Sequence, residues 1–139
     1  MAKLKLEIVT PESKVFSDDV DMVVLPGVEG QLGILPMHVP LMTQLLPGEL
    51  HIMQAGKQKD LVVGAGFAEV SQTQVSVLTD MAMGEAEIDE SATEQAVKRA
   101  EADLASKDLS GEEFGEVQAS LARSLAALKF KRRRRSPAL

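Results

Sequence analysis

The sequence predicts a mainly β N-terminal sandwich of about ten antiparallel strands, followed by a C-terminal antiparallel two-helix hairpin. Three observations carry this. Short runs of alternating apolar and polar residues recur through the first half, separated by turn chemistry every ~8–12 residues. No helix-period segment stands between them, which argues against parallel βαβ units. After Met83-Gly84 the chain turns to Ala, Glu and Lys, with no Pro until Pro137.

In order along the chain, Leu4, Leu6 and Ile8 alternate with Lys3, Lys5 and Glu7, the period of a half-buried strand. Residues 13–16 form the next candidate. Val20, Met22 and Val24 then alternate with Asp19 and Asp21, which puts the even positions on the apolar side. Further strands are expected at 31–34, 41–46, 49–54, 58–63, 66–70 and 74–79. Between them stand Pro26-Gly27, Glu29-Gly30, Pro36, Pro40, Pro47-Gly48, Ala55-Gly56, Gly64-Ala65-Gly66 and Gln72-Thr73.

Asp89 and Ser91 are both candidate helix caps, and Ser91-Ala92-Thr93-Glu94 fits a capping box. Ala92, Ala96, Ala100 and Leu104 recur every four residues on one face. Asp108-Leu109-Ser110-Gly111 interrupts the pattern, and Ser110-Gly111-Glu112-Glu113 is a second capping box. Phe114, Val117, Leu121, Leu125 and Leu128 follow as one helical stripe. The short break makes the two helices an antiparallel hairpin. The expected division is a sandwich at 1–84, a hinge at 85–88, a hairpin at 89–131 and a basic tail at 132–139.

Isolated helices of ~15–20 residues are marginal in water. A buried Leu or Phe contributes roughly 1.5–3 kcal/mol, and the first helix offers mainly Ala. The hairpin is therefore expected to dock on the sandwich or on a partner without holding tightly, as a module able to detach and extend.

Composition narrows the chemistry. There is no Cys, which excludes disulfides and thiol catalysis. No apolar run approaches the ~18 residues of a membrane span, and the start carries no signal-peptide core. With no Trp or Tyr, a base-stacking nucleic-acid platform is poorly supplied. His38 and His51 fall on different elements and read as unrelated imidazoles rather than metal ligands. Gly64-Ala65-Gly66 lacks the third Gly and the helix of a dinucleotide fingerprint, so it reads as a turn. Glu85, Glu87, Asp89 and Glu90 read as a solvated linker that favours a helix N-terminus. No nucleophile motif is present, and no metal is expected.

Charge is distributed unevenly. Lys129, Lys131 and Arg132 to Arg135 are six of the 15 basic residues; without them 9 basic residues face 21 acidic ones, a net of −12. An acidic body carries a basic end. The apolar, non-alternating stretch Ile34, Leu35, Met37, Val39 is suited to a partner surface.

Two stretches resemble a known family: Leu25-Pro26-Gly27-Val28-Glu29-Gly30-Gln31-Leu32-Gly33-Ile34-Leu35-Pro36-Met37-His38-Val39-Pro40-Leu41-Met42-Thr43-Gln44-Leu45, and Gly64-Ala65-Gly66-Phe67-Ala68-Glu69-Val70 with Val75-Ser76-Val77-Leu78-Thr79-Asp80. They are similar to the ε subunit of bacterial and chloroplast F-type ATP synthases, and the similarity spans residues 3–130. The resemblance implies a non-catalytic rotor subunit that couples the γ subunit to the membrane c ring during proton-driven ATP synthesis. It also implies a hairpin that restrains ATP hydrolysis when extended into the catalytic α/β head. The implied location is peripheral, on the cytoplasmic face of a bacterial plasma membrane.

Site residues follow from the same resemblance. Glu29, Gly30, Gln31, Gly33, His38 and Thr43 match the c-ring and γ interface. Family members commonly carry an acid at position 31; Gln31 removes that ionic contact and leaves a hydrogen-bonding one. Arg123, Lys129, Lys131, Arg132, Arg133, Arg134 and Arg135 are the candidate contact with the head, where relatives present an acidic segment. Ile88, Asp89, Arg99 and Arg123 match parts of a nucleotide site found in some relatives. Ala92-Thr93 replaces its Arg-Ala pair, and so a bidentate phosphate donor is missing. No resident cofactor is implied, and regulatory ATP binding stays open. The rival reading is a free-standing adaptor that binds nucleic acid or anionic lipid through its basic tail.

Overall fold

The computed structural model describes residues 2–106 and 108–135, the side chain of Arg135 excepted. Ten strands come first: β1 Leu4–Val9, β2 Lys14–Val20, β3 Met22–Gly27, β4 Gly30–Ile34, β5 Leu41–Leu45, β6 Gly48–Gln54, β7 Lys57–Val63, β8 Gly66–Val70, β9 Gln74–Thr79 and β10 Ala82–Met83. A 3-10 turn, Glu85–Glu87, leads into helices α1 Glu90–Ser106 and α2 Gly111–Arg135. β10 has no counterpart among the expected strands, because two residues cannot show a period.

The strand order is β10-β7-β6-β3-β5-β8-β9-β1-β2, with β4 on β3. β3 meets β5 through a single pair, Gly27 opposite Leu45, and there the order folds into two layers. At the far side, the Gln54 amide donates to Asp18 Oδ2 (2.9 Å) and to the Asp19 carbonyl (2.7 Å). Between the layers lie Leu4, Leu6, Ile8, Leu25, Ile34, Leu45, Leu50 and Ile52, all with no solvent exposure.

Two details depart from expectation. First, one ladder is parallel: β1 runs beside β9 from Lys5–Gln74 to Val9–Leu78. A parallel pair needs a long connection, and the intervening strands supply it. Second, the apolar phase flips at Asp21. Val20 is buried, but the next core residues are Val23 and Leu25, while Met22 and Val24 are half-buried. Asp21 forms a bend between β2 and β3, and its carboxylate accepts from the Ala55 amide at 3.0 Å. One residue outside the ladders exchanges the two faces of the following strand.

The caps form as the residue types dictate. Asp89 Oδ1 accepts from the Ala92 amide at 3.0 Å, and Ser110 Oγ accepts from the Glu113 amide at 3.2 Å. Asp89, rather than Ser91, therefore starts α1. α2 extends to Arg135, four residues beyond the expected end of the hairpin. Residues 132–135 of the expected tail are thus its last turn; 136–139 lie outside the described residues.

Helix burial follows the stripe only in part: Leu128 is buried and Val117 and Leu121 are half-buried. Phe114 and Leu125 are 43% and 45% exposed, whereas Phe130 is fully buried and Ala127 nearly so. Phe130 and Ala127 pack with Val62 of β7 and with Ile88, flanked by Met81 and Met83. On α1 the buried pair is Val97 and Ala100, not the whole Ala92–Leu104 face. The hairpin is closed on the sandwich.

Candidate partner surfaces

The ring-facing candidates are held by a tight hairpin. β3 and β4 pair from Val23–Ile34 to Gly27–Gly30, leaving only Val28 and Glu29 in the turn. Val28, Glu29, Gly30, Gln31 and Gly33 are exposed. The Val28 amide donates to the Gln44 carbonyl (2.9 Å), which ties this tip to the end of β5. His38 sits at the other end of β5, half-buried, with Nδ1 donating to the Val39 carbonyl at 2.7 Å. Its loop is fixed by the Met37 amide on the Gln72 carbonyl, 2.7 Å. Thr43 is half-buried, on the same side of β5 as the core residue Leu45. The six candidates therefore divide between the two ends of β5 and its middle. At ~3.3 Å per residue, five residues separate those ends by roughly 15 Å.

A flat apolar face joins those ends, and sequence reading did not single it out. The registers place Gln44, Phe67, Leu78 and Val9 in one cross-strand row. Phe67 is 55% exposed and Leu78 57%; Met42 stands on the same side of β5 as Gln44. Of the apolar stretch expected to form a partner surface, Leu35, Met37 and Val39 are exposed, whereas Ile34 is buried in the core because it closes the β3–β4 ladder opposite Val23. The signal was present in β8: Ala68 and Val70 are the buried positions, so Phe67 must face out.

The second surface is a latch of ion pairs between α2 and the rest of the chain. Arg123 Nη1 donates to Asp80 Oδ2 at 2.9 Å. Lys131 Nζ reaches both the carbonyl and the carboxylate of Glu85, each at 3.1 Å. Arg132 holds Glu90 (3.2 Å) and Glu94 (2.9 Å) of α1. Arg133 forks onto Glu49 through Nε (3.0 Å) and Nη2 (2.5 Å). Arg134 Nη1 donates to Asp60 Oδ2 at 2.7 Å. Lys129 is exposed and lines a cleft of about 420 Å³ with Gln31, Glu49, His51 and Arg133. The side chain of Arg135 lies outside the described residues. Composition showed the excess acid of the body, but the carboxylates that receive these cations are distant in sequence and carried no local motif.

Electrostatics match the geometry. Burial works to raise the Asp60 pKa, but hydrogen bonds from Gln58 and His51 and the charges of His51 and Arg134 outweigh it and hold it low. Hydrogen bonding to Glu49 raises Arg133. Lys98, with help from Arg132, holds Glu94 low. Gly64 makes room for the Asp80 carboxylate: a Cβ there would lie 1.9 Å from Asp80 Oδ1.

The nucleotide-site candidates have other occupations. Ile88 is in the Phe130 cluster, Asp89 caps α1, Arg123 is paired with Asp80, and Arg99 is exposed on α1. Among the described residues, no group of three or more His, Cys, Asp or Glu could hold a metal ion, and no helix is long and apolar enough to cross a membrane.

Comparison with known proteins agrees with this architecture. The family model for the ATP synthase delta/epsilon chain, β-sandwich domain, matches residues 3–85, more than half of the chain. An ATP synthase epsilon chain of Dehalococcoides mccartyi is 49% identical over 97% of this chain and 96% of its own length. One from Herpetosiphon aurantiacus is 42% identical over 96% of this chain and 97% of its own. A chain in the Euglena gracilis mitochondrial ATP synthase (OSCP/F1/c-ring) shares the fold at a TM-score of 0.74 and 23% identity, covering 91% of this chain and 79% of that one. A chain of the Tetrahymena thermophila central stalk and c-ring shares it at 0.60 and 15%, covering 93% and 96%. With its sandwich, hairpin and sequence all in agreement, the chain belongs to the ATP synthase epsilon-chain family.

Proposed function

We propose that this chain is a non-catalytic rotor subunit that couples the γ subunit to the c ring and restrains ATP hydrolysis with its C-terminal helices. The observation that carries the reading is the nature of the hairpin dock. One small apolar cluster around Phe130 and a set of ion pairs hold it; the Arg123–Asp80 and Arg132–Glu94 pairs are partly exposed on both sides, and Asp60 is the one nearly buried carboxylate among the pairs described. Exposed pairs are worth only ~0–1 kcal/mol each, so such a dock is reversible, as a two-state element must be.

The rigid sandwich is the anchor. Its β3–β4 tip, with Gln31, is assigned to the c ring, and the Phe67–Leu78 face with Met42 to γ. Exposed apolar patches of this kind mark partner surfaces. The extended helices are assigned to the catalytic α/β head through Arg123, Lys129 and Lys131 to Arg135. The setting is peripheral, at the cytoplasmic face of a bacterial plasma membrane, which the bacterial relatives support. In the closed form Arg123 is paired with Asp80, which gives its guanidinium a partner other than a nucleotide phosphate.

The test is ATPase activity of the reconstituted catalytic head with the full chain and with a 1–87 truncation, each checked for stable binding. Both are expected to bind and only the full chain to inhibit. Binding without inhibition by either would remove the brake, and failure of both to bind would remove the rotor assignment.

A further inference from the structure

Two of the carboxylates that hold α2 closed are built into the sandwich as a prepared site. Glu49 and Asp60 lie on the paired strands β6 and β7. The Asp60 side chain is only 4% exposed. One oxygen, Oδ1, accepts from His51 Nδ1 (2.7 Å) and Gln58 Nε2 (2.8 Å), both on those same strands. The other, Oδ2, faces α2 and takes Arg134, with Arg133 Nη2 at 3.7 Å. Glu49 takes Arg133 in a fork. When the hairpin leaves, His51 and Gln58 stay, so the orientation of Asp60 does not depend on the arginines.

We propose that Glu49 and Asp60 form a preorganised receptor that competes with the catalytic head for Arg133 and Arg134, and so sets the threshold of the brake. This rests on the brake reading above. With α2 docked on β6 and β7, Arg133 and Arg134 donate to Glu49 and Asp60, and a helix extended into the head carries both guanidiniums away from that site. The same two arginines cannot occupy the sandwich and an acidic segment of the head together. If the binding-competent open form is a minor fraction, apparent affinity scales with that fraction. Weakening the receptor then strengthens inhibition, although nothing that touches the head has changed.

The experiment uses the intact chain and two readouts. The protein has no Cys, so dyes at Lys57→Cys and Gln118→Cys report closure by energy transfer. ATPase titration of the head reports inhibition. Glu49→Gln with Asp60→Asn is expected to raise the open fraction about 5–30-fold, and to lower the half-inhibitory concentration by the same factor until the chain is fully open. Glu49→Gln alone, at the more exposed carboxylate, is expected to move both readouts the same way by a smaller factor, and it covers the case in which the double variant misfolds. Arg133→Gln with Arg134→Gln is expected to open the hairpin equally, yet to inhibit more weakly at matched opening.

Unchanged closure in the folded carboxylate variants overturns the receptor. So does increased opening without a matching gain in inhibition. Equal inhibition by the arginine and carboxylate variants at matched opening overturns the competition. A wild-type chain that binds the head without inhibiting it overturns the brake reading itself, and the competition with it.

Discussion

His51 on β6 and Asp60 on β7 stand directly opposite one another, with the imidazole Nδ1 2.7 Å from the carboxylate Oδ1. The pair turns the second oxygen of Asp60 toward Arg134. A contact within the sandwich therefore aims a contact between the sandwich and the helix.

The pH dependence of closure follows from Asp60. Burial raises its pKa, and the hydrogen bonds and charges around it bring it below the ordinary value. Arg134's part of that lowering exists only in the closed chain, so closing favours the deprotonated form. Closure is thus supported above the ordinary carboxylate pKa of about 4 and loses that support as pH falls through the lowered value. Asp18, held low chiefly by Gln54, and Asp21, held low chiefly by Lys3, shift the whole fold in the same sense. Energy transfer between pH 7 and 3 is expected to show acid opening that Asp60→Asn reduces. An identical acid profile in Asp60→Asn would remove Asp60 as its source.

Phe130→Ala tests the apolar half of the dock. Phe130 has no solvent exposure, and its cluster is small. Large-to-small changes of this kind cost about 3–5 kcal/mol in a full core; at a dock the loss appears as opening. Amide exchange is expected to accelerate across α2 while β1, β6 and β9 keep their protection. Parallel loss of protection in the strands would mean that hairpin and sandwich unfold together.

Gly64→Ala and Gly66→Ala separate two kinds of close approach. At Gly64 the new Cβ meets the Asp80 carboxylate, and at Gly66 it meets the Leu78 backbone oxygen, each at 1.9 Å. Both are expected to lower stability by about 1–3 kcal/mol. Asp80→Ala is expected to relieve the first and not the second, giving strong non-additivity only at Gly64. Thermal melts of the three single variants and the two doubles decide it; additive effects at Gly64 would sink the account.

Phe67→Ser with Leu78→Ser tests the flat face. Both side chains are more than half exposed, so the isolated chain is expected to change by under about 1 kcal/mol. Retention in the assembled synthase is expected to fall at least tenfold. Normal retention would overturn the assignment of this face to a partner in the synthase.

The local elements were legible because their signals are local. Alternation with Leu4, Leu6 and Ile8 inward follows from a period of two. Asp89 and Ser110 cap because a short polar side chain satisfies an amide three residues on. The β3–β4 tip is exposed, as its turn residues require.

What lay beyond local periodicity was decided by the tertiary structure. A helical stripe gives a face but not the length of helix that meets a partner. Only the end of α2 crosses Val62, so Phe130 is buried while Phe114 and Leu125 remain exposed. The bend at Asp21 exchanges the faces of β3, and the parallel β1–β9 ladder joins residues about 70 positions apart. The basic end reads from the sequence as a tail. In the fold Arg132, Arg133 and Arg134 meet Glu49, Asp60, Glu90 and Glu94, because a charge finds its partner through space and not along the chain.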